Sequence, residues 1–251
     1  MKSQYNQHHN TINTTIQSTP QYNQHHNTIN PDNQLKTSYL LQSTLPSTNM
    51  SPPRRAIISI TSATATLFNG KETTGLFITE ALHPYNVLTA AGFEVDLTSE
   101  TGTYTPDWLS QQPDFLNGDD LAIWKDTGSE FRKKLDNMPK ASEVDGSKYG
   151  LFYASAGHAA LIDYPTATSL QKIAAQIWAN GGVVSSVCHG PAIFANLIDS
   201  STNEPLIKGK RITGFTTEAE DDMKIMDELR SWDAELVEEM AARLGATCKW
   251  L

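Results

Sequence analysis

"NGGVVSSVCHGPAIFANL", residues 180–197, is the stretch on which the fold turns. Val183 to Val187 read as a short β-segment, and Cys188 stands where that segment stops. His189, Gly190 and Pro191 follow, and "AIFANL" then reads as helical. A strand that ends abruptly at a helix start holds its last side chain above the sheet edge, beside backbone N–H groups with no helical partner. A helix N-terminus and a neighbouring imidazole both favour a thiolate, so the expectation is a Cys188 pKa lowered into a reactive range. Gly190 permits close backbone approach, and Pro191 suits a first helical turn. The plainer alternative is a cysteine packed as a small hydrophobe.

On either side of this stretch, strand and helix patterns alternate. "AIISITSA" (56–63) is a β-branched run suited to a buried strand. "GLFITEALHPYNVLTAAG" (75–92) predicts a helix ending near Gly92, and "FEVDLTS" (93–99) alternates like a strand. Between about 102 and 147, Pro106, Pro113, Gly118, Gly128 and Pro139 break the pattern and predict helical and loop insertions. "YGLFYASAG" (149–157) predicts the next strand, and "ATSLQKIAAQIWANGG" (167–182) a helix with Gly at its end. "KRITGFT" (210–216) predicts another strand and "AELVEEMAARLG" (234–245) a closing amphipathic helix. Strands that alternate with helices of this length predict an α/β fold, a doubly wound parallel sheet covered on both faces. Such folds bind ligands beyond the carboxyl ends of their strands, where Cys188 falls.

The first 53 residues have a different texture. "QYNQHHNTIN" at 4–13 returns unchanged at 21–30, and "QSTP" at 17–20 is echoed by "QSTLP" at 42–46. The repeat is too polar to bury a face, so a disordered Asn/Gln/His-rich tail is expected over 1–53, followed by the α/β domain over 54–251. The adjacent pairs His8–His9 and His25–His26 set up no defined coordination geometry, and no metal site is assigned to them. Of the 19 basic and 28 acidic side chains, this tail holds only Lys2, Lys36 and Asp32, so the body is more acidic than the whole chain's net −9. That balance argues against nucleic acid or an anionic membrane as partner. Two cysteines, Cys188 and Cys248, are too few for a disulfide framework. No segment reaches the ~20 apolar residues of a membrane span, and no signal or transit pattern opens the chain. A cytoplasmic protein is expected.

Three further groups are candidates for chemistry. An imidazole that must hold one tautomer needs an acid partner, and "RITGFTTEAEDDM" offers Glu218, Glu220, Asp221 and Asp222 just after a strand end. Periodicity cannot choose among them. Glu80 lies at helical spacing from Phe77 and Leu76, so burial would raise its pKa and suit it to proton exchange near neutrality. His158 follows Gly157 at a strand end and is placed to line the same cleft, while His83, beside Pro84, reads as structural.

Five blocks in order, "GLFITEALHPYNVL", "GFEVDLTSETG", "YASAGHAALIDYP", "NGGVVSSVCHGPAIF" and "ITGFT", resemble the DJ-1/PfpI superfamily. More narrowly, they are similar to its fungal heat-shock-protein-31-like branch of glutathione-independent glyoxalases (glyoxalase III, D-lactate dehydratase). The resemblance runs from about Ile57 to the C-terminus and covers none of the tail. It implies a flavodoxin-like sheet, Cys188 as nucleophile, His189 as its imidazole partner, Glu220 as the acid and Glu80 bonded to the thiol. Gly157 and His158 would belong to the loop that supplies an oxyanion-binding N–H, and Gly190 at the elbow would join them in binding the oxyanion or the substrate. The implied substrate is a small dicarbonyl, methylglyoxal or glyoxal. The thiol adds to the aldehyde, His189 or Glu80 moves a proton through an enediol, and thioester hydrolysis releases D-lactate. No metal, glutathione or other cofactor is called for, and the resemblance allows a homodimer.

Two features depart from the pattern. Family members run on past the point matching "GATCKWL" for a further strand pair and helix, and the polar repeat tail is not a family feature. A truncated inactive paralogue, a stress-response chaperone, and a redox sensor working through Cys188 are therefore rival readings. A peptidase of the same superfamily is a lesser one. A class I glutamine amidotransferase ranks below it, because Ser186 occupies the expected first glycine position and no His-x-Glu pair follows.

Overall fold

A computed structural model describes residues 13–17 and 52–249. In chain order it contains β1 (Asn13–Gln17), β2 (Arg55–Ile60), and a hairpin of β3 (Ala65–Leu67) and β4 (Glu72–Thr74). Helix α1 (Ile78–Ala90) and strand β5 (Glu94–Ser99) follow, and then the insertion with α2 (Gly118–Lys125) and α3 (Glu130–Asp136). Next come β6 (Leu151–Ala154), α4 (Ala160–Asp163), α5 (Thr168–Ala179) and β7 (Val183–Val187). The sheet order β1-β7-β6-β2-β5 places β2 between β5 and β6, and β7, β6, β2 and β5 are all parallel. Because β5 joins one side of β2 and β6 the other, the chain reverses direction across the sheet between β2 and β6. The carboxyl ends there form the crevice where such sheets take ligands.

Alternation along each strand divides two cores. Ile57, Phe152 and Val184 face one side and pack with Leu170, Ile173, Ala174 and Ile177 of α5. Ala56, Ile58, Ile60, Val95, Leu97 and Val187 face the other, against Ala81 and Leu82 of α1 and Phe131 and Leu135 of α3. Both faces are covered, which is why β2 is an unbroken buried run from Ala56 to Ile60 rather than an alternating one. Each such Ile contributes roughly 1.5–3 kcal/mol by leaving water. Cys188 touches both cores, at the point where the sheet ends.

Two sequence expectations change, and a third, the helical segment after Cys188, becomes specific. The helix predicted from Gly75 starts at Ile78; Gly75 to Phe77 stay extended because Leu76 N–H donates to Thr105 O (2.7 Å) and Phe77 N–H to Ala156 O (2.7 Å). The segment after Cys188 is a seven-residue 3₁₀ helix, Gly190–Asn196, not an α-helix. The strand predicted over 210–216 does not enter the main sheet. A β8–β9 hairpin (Ile198–Asp199, Glu204–Pro205) precedes it, and the strand itself contracts to β10 (Arg211–Ile212). Beyond β10 the backbone turns under the elbow, where Phe215 N–H donates to Cys188 O at 2.8 Å. Helices α6 (Thr217–Met223), α7 (Met226–Ser231) and α8 (Val237–Arg243) lead to β11 (Thr247–Cys248), which pairs with β10, in parallel.

The disordered-tail expectation and both histidine pairs lie largely outside the described residues. The exception is β1, whose backbone pairs antiparallel with β7 from Asn13↔Val187 to Gln17↔Val183. A sheet edge offers N–H and C=O groups to any extended segment, so a polar sequence can dock there. Among the described residues, no helix is long and apolar enough to cross a membrane. Cys188 and Cys248 are both free thiols.

Candidate active site

Cys188 sits on a sharp turn with φ +54°, a left-handed conformation that costs an L-residue about 1–2 kcal/mol. Two glycines hold it there. A Cβ on Gly190 would lie 2.4 Å from Ala154 O, and one on Gly214 would lie 2.9 Å from Cys188 O. The turn therefore packs backbone to backbone against β6 and against the 213–215 segment. It also lets adjacent side chains meet: Cys188 Sγ lies 3.1 Å from His189 Nδ1. On a regular strand those two side chains would point to opposite faces.

His189 Nε2 lies 2.7 Å from Glu220 Oε1, and the other carboxylate oxygen lies 3.1 Å from His158 Nε2. Glu220 comes from α6, whose start is fixed by Thr216 Oγ1 accepting the Ala219 N–H at 2.9 Å. Phe215 stacks on His189 (centroids 4.6 Å apart, 28°) and meets His158 edge-on, which shuts water away from the pair. His158, His189 and Glu220 are all buried.

Charge divides the two imidazoles. Burial opposes ionisation of Glu220, but the charges of His158 and His189 and their hydrogen bonds outweigh it and hold the carboxyl at about 2. Burial alone would lower His158; the Glu220 charge and hydrogen bond, then Asp107 and Glu80, raise it instead. His189 is lowered, by burial and then by the charge on His158. His158 thus tends to imidazolium and His189 to a neutral ring. With Nε2–H donating to Glu220, His189 keeps a free Nδ1 lone pair facing the thiol.

Glu80 lies in the first turn of α1 and hydrogen-bonds the Cys188 thiol and the Ala156 N–H, while its Oε2 is enclosed with no protein partner among the described residues. Burial pushes its carboxyl up to about 8, with the Asp107 charge adding to the rise. The sulfur departs from the sequence expectation. Its pKa is raised well above the ordinary value, by burial first and then by the charge and hydrogen bond of Glu80. The 3₁₀ helix and the neutral imidazole do not offset that. Cys188, partly exposed, is therefore biased toward the thiol, with the His189 Nδ1 beside it.

Comparison with known proteins decides the family. The chain is 47% identical over 193 residues to "Glyoxalase 3" of Candida albicans, spanning 77% of this chain and 82% of that protein. It is 45% identical over 194 residues to "Glutathione-independent glyoxalase HSP31" of Saccharomyces cerevisiae, again spanning 82% of the relative. The crystal structure of glyoxalase III from Candida albicans superposes with a TM-score of 0.76 at 46% identity, covering 78% of this chain and 82% of that one. The chain belongs to the HSP31-like glutathione-independent glyoxalase branch of the DJ-1/PfpI superfamily. No family profile matches it.

In this glyoxalase-family chain Cys188, His189, Glu220, Glu80, Gly157, His158 and Gly190 gather at one place, with two adjustments, while Glu218, Asp221 and Asp222 of the acidic run are exposed. Gly157 (φ +140°) is needed for packing, since a Cβ there would lie 2.0 Å from Gly75 O. His158 brings its ring into the site rather than only its backbone. His83 pairs with Asp120 at 2.8 Å, tying α1 to α2 at the surface. His158, His189 and Glu220 present ligand atoms within 4.8 Å of one another. Both carboxylate oxygens and both Nε2 atoms are already spent on each other, however, so a hydrogen-bond relay accounts for the cluster. Sequence reading missed Asp107, 2% exposed, which accepts the N–H groups of Leu109 (2.8 Å) and Ser110 (3.0 Å). The only sequence signal was an Asp able to cap the turn that follows it; nothing placed that turn beside Glu80.

Proposed function

We propose that this chain is a glutathione-independent glyoxalase that converts methylglyoxal to D-lactate, with glyoxal a smaller substrate of the same class. The reading is carried by the unbroken line from Cys188 Sγ through His189 to Glu220, with the Glu80 carboxyl also on the sulfur. Cys188, His189, Glu220 and Glu80 are its catalytic residues. The thiol gives its proton to His189 Nδ1 as the S–C bond forms at the aldehyde carbon. His189 returns that proton to the new alkoxide, leaving a hemithioacetal. The backbone N–H of His189, which already faces the sulfur, and that of Gly157 stabilise the oxyanion. Gly190 and His158 keep the elbow and the relay in place.

Neutral again, His189 removes the proton from the former aldehyde carbon while Glu80 donates to the ketone oxygen, giving the enediol. His189 then protonates the second carbon and Glu80 takes the hydroxyl proton from the first, giving a thioester. Water cleaves the C–S bond and regenerates the thiol. One carbon is oxidised and its neighbour reduced within the same molecule, so no outside oxidant or reductant is consumed. The enzyme's own sulfur does what glutathione would otherwise do. The reading includes a cytoplasmic enzyme acting on a free small molecule, and a homodimer that size-exclusion chromatography would test. Purified protein given methylglyoxal without glutathione should form D-lactate, and Cys188→Ala should not. Equal rates in the two would refute the reading.

A further inference from the structure

Glu220 is one carboxylate with two imidazoles on it. His189 Nε2 lies 2.7 Å from Oε1 and His158 Nε2 lies 3.1 Å from Oε2, so each oxygen has its own ring. All three side chains are buried. The rings come from the ends of neighbouring parallel strands, His189 just after β7 and His158 a short turn beyond β6. The backbone that delivers His158 has no slack. Gly157 takes φ +140° against Gly75 O, and Leu161 N–H closes the next turn on His158 O at 3.0 Å. The ring centroids lie 4.3 Å apart, with Phe215 against both. Of the two rings, His189 is the one whose Nδ1 lies on the sulfur, and the reaction scheme gives His158 no proton to carry.

A buried carboxylate needs a donor on each oxygen, because an oxygen left without one costs its full desolvation. A carboxylate shared by two donors also pulls less on each, since each neutralises part of one charge. Burial and then the charge of His158 lower His189, against the pull of Glu220. Burial lowers His158 too, while Glu220, then Asp107 of the insertion and Glu80 of α1, raise it. Cys188 at the elbow completes the ionisable groups around the pair.

We infer that His158 is a positioning residue: its Nε2–H holds the second oxygen of Glu220, fixes the plane of that carboxylate, and keeps its pull on His189 weak enough for Nδ1 to take up and release the Cys188 proton. His158 thus tunes the base without touching the thiol. What the His189 proton is used for rests on the glyoxalase reading; the sharing of the carboxylate does not depend on turnover.

The test follows the imidazole nitrogens of the full-length chain by NMR, with His189→Gln and the His158 variants picking the two buried rings out of the seven histidines. In wild type at pH 7 both Nε2 atoms should carry a proton, because both donate to Glu220. A bare Nε2 on either ring would overturn the inference with no variant made. His158→Phe fills the space and donates nothing, whereas His158→Gln keeps an N–H for Oε2 without the ring or its charge. His158→Phe should move the His189 titration up by about one pH unit, and His158→Gln should move it less. The acid limb of kcat/KM for D-lactate formation should rise with it, so that activity on the acid side falls by up to about tenfold. A merely structural role would lower the rate alike at every pH and leave the His189 titration in place, and that result would overturn the inference. A shifted titration with no D-lactate from wild type would leave the shared carboxylate standing and refute the glyoxalase reading instead.

Discussion

Glu80→Gln should remove turnover and stabilise the protein, increasingly so as the pH rises. The folded-state pKa of Glu80 lies above its ordinary value, so the folded chain holds a proton that the unfolded chain releases. Stability from this group is fully present below pH 4.5 and is lost as pH rises through about 8. At roughly 1.36 kcal/mol per unit, the folded enzyme is on the order of 4–5 kcal/mol less stable at pH 8 than at pH 4.5 through Glu80 alone. Glutamine fills the same space, keeps a neutral polar end and does not titrate, so the variant escapes that loss. Urea unfolding of both proteins at pH 5, 6, 7 and 8 measures the difference directly. The variant should gain on wild type at each step, while D-lactate formation disappears. A stability gap that stays flat across this range would mean that the carboxyl is ionised at neutral pH. The proton transfers assigned to it would then be wrong. The gain would also show that the site is held in a destabilised state for its chemistry.

Glu220→Gln should lower kcat by about 10²–10⁴, measured as D-lactate formation, because His189 loses the anion that holds its tautomer and balances its positive charge. Its carboxyl sits at about 2, below the ordinary 4.5, so its stabilisation is present above pH 4.5 and lost as pH falls through 2. Wild type should therefore lead this variant by on the order of 3 kcal/mol at pH 6, with the lead shrinking in acid unfolding curves. Gly190→Ala should cost about 1–3 kcal/mol in thermal unfolding, because its methyl would meet Ala154 O at 2.4 Å. The displaced elbow should also slow Cys188 alkylation, and an unchanged Tm and alkylation rate would show that the turn has room.

The doubly wound plan was legible in the sequence because strand and helix periodicity is local. Ala56 to Ile60, Val183 to Val187 and the α5 stripe carry their apolar spacing whatever lies around them. Glu80 was legible as a candidate through its spacing from Leu76 and Phe77, but its extra proton was not. That proton depends first on burial and then on the charge of Asp107, 27 positions along the chain on a segment with no regular pattern. The fate of "ITGFT" was unreadable for a similar reason. Its β-branched start fits a sheet strand, and only the contact of Gly214 and Phe215 with Cys188 O shows that the segment supports the elbow instead.

By itself, then, the sequence determined which residue types were available and the order of strands and helices that would carry them to one sheet edge. The tertiary structure decided their protonation. It gave Glu220 two histidines, left Glu80 an oxygen without a donor among the described residues, and half-buried a sulfur that local cues had marked as a thiolate. Periodicity is a property of neighbours in the chain, whereas a pKa sums burial and charge over every group within a few ångströms, most of them remote in sequence.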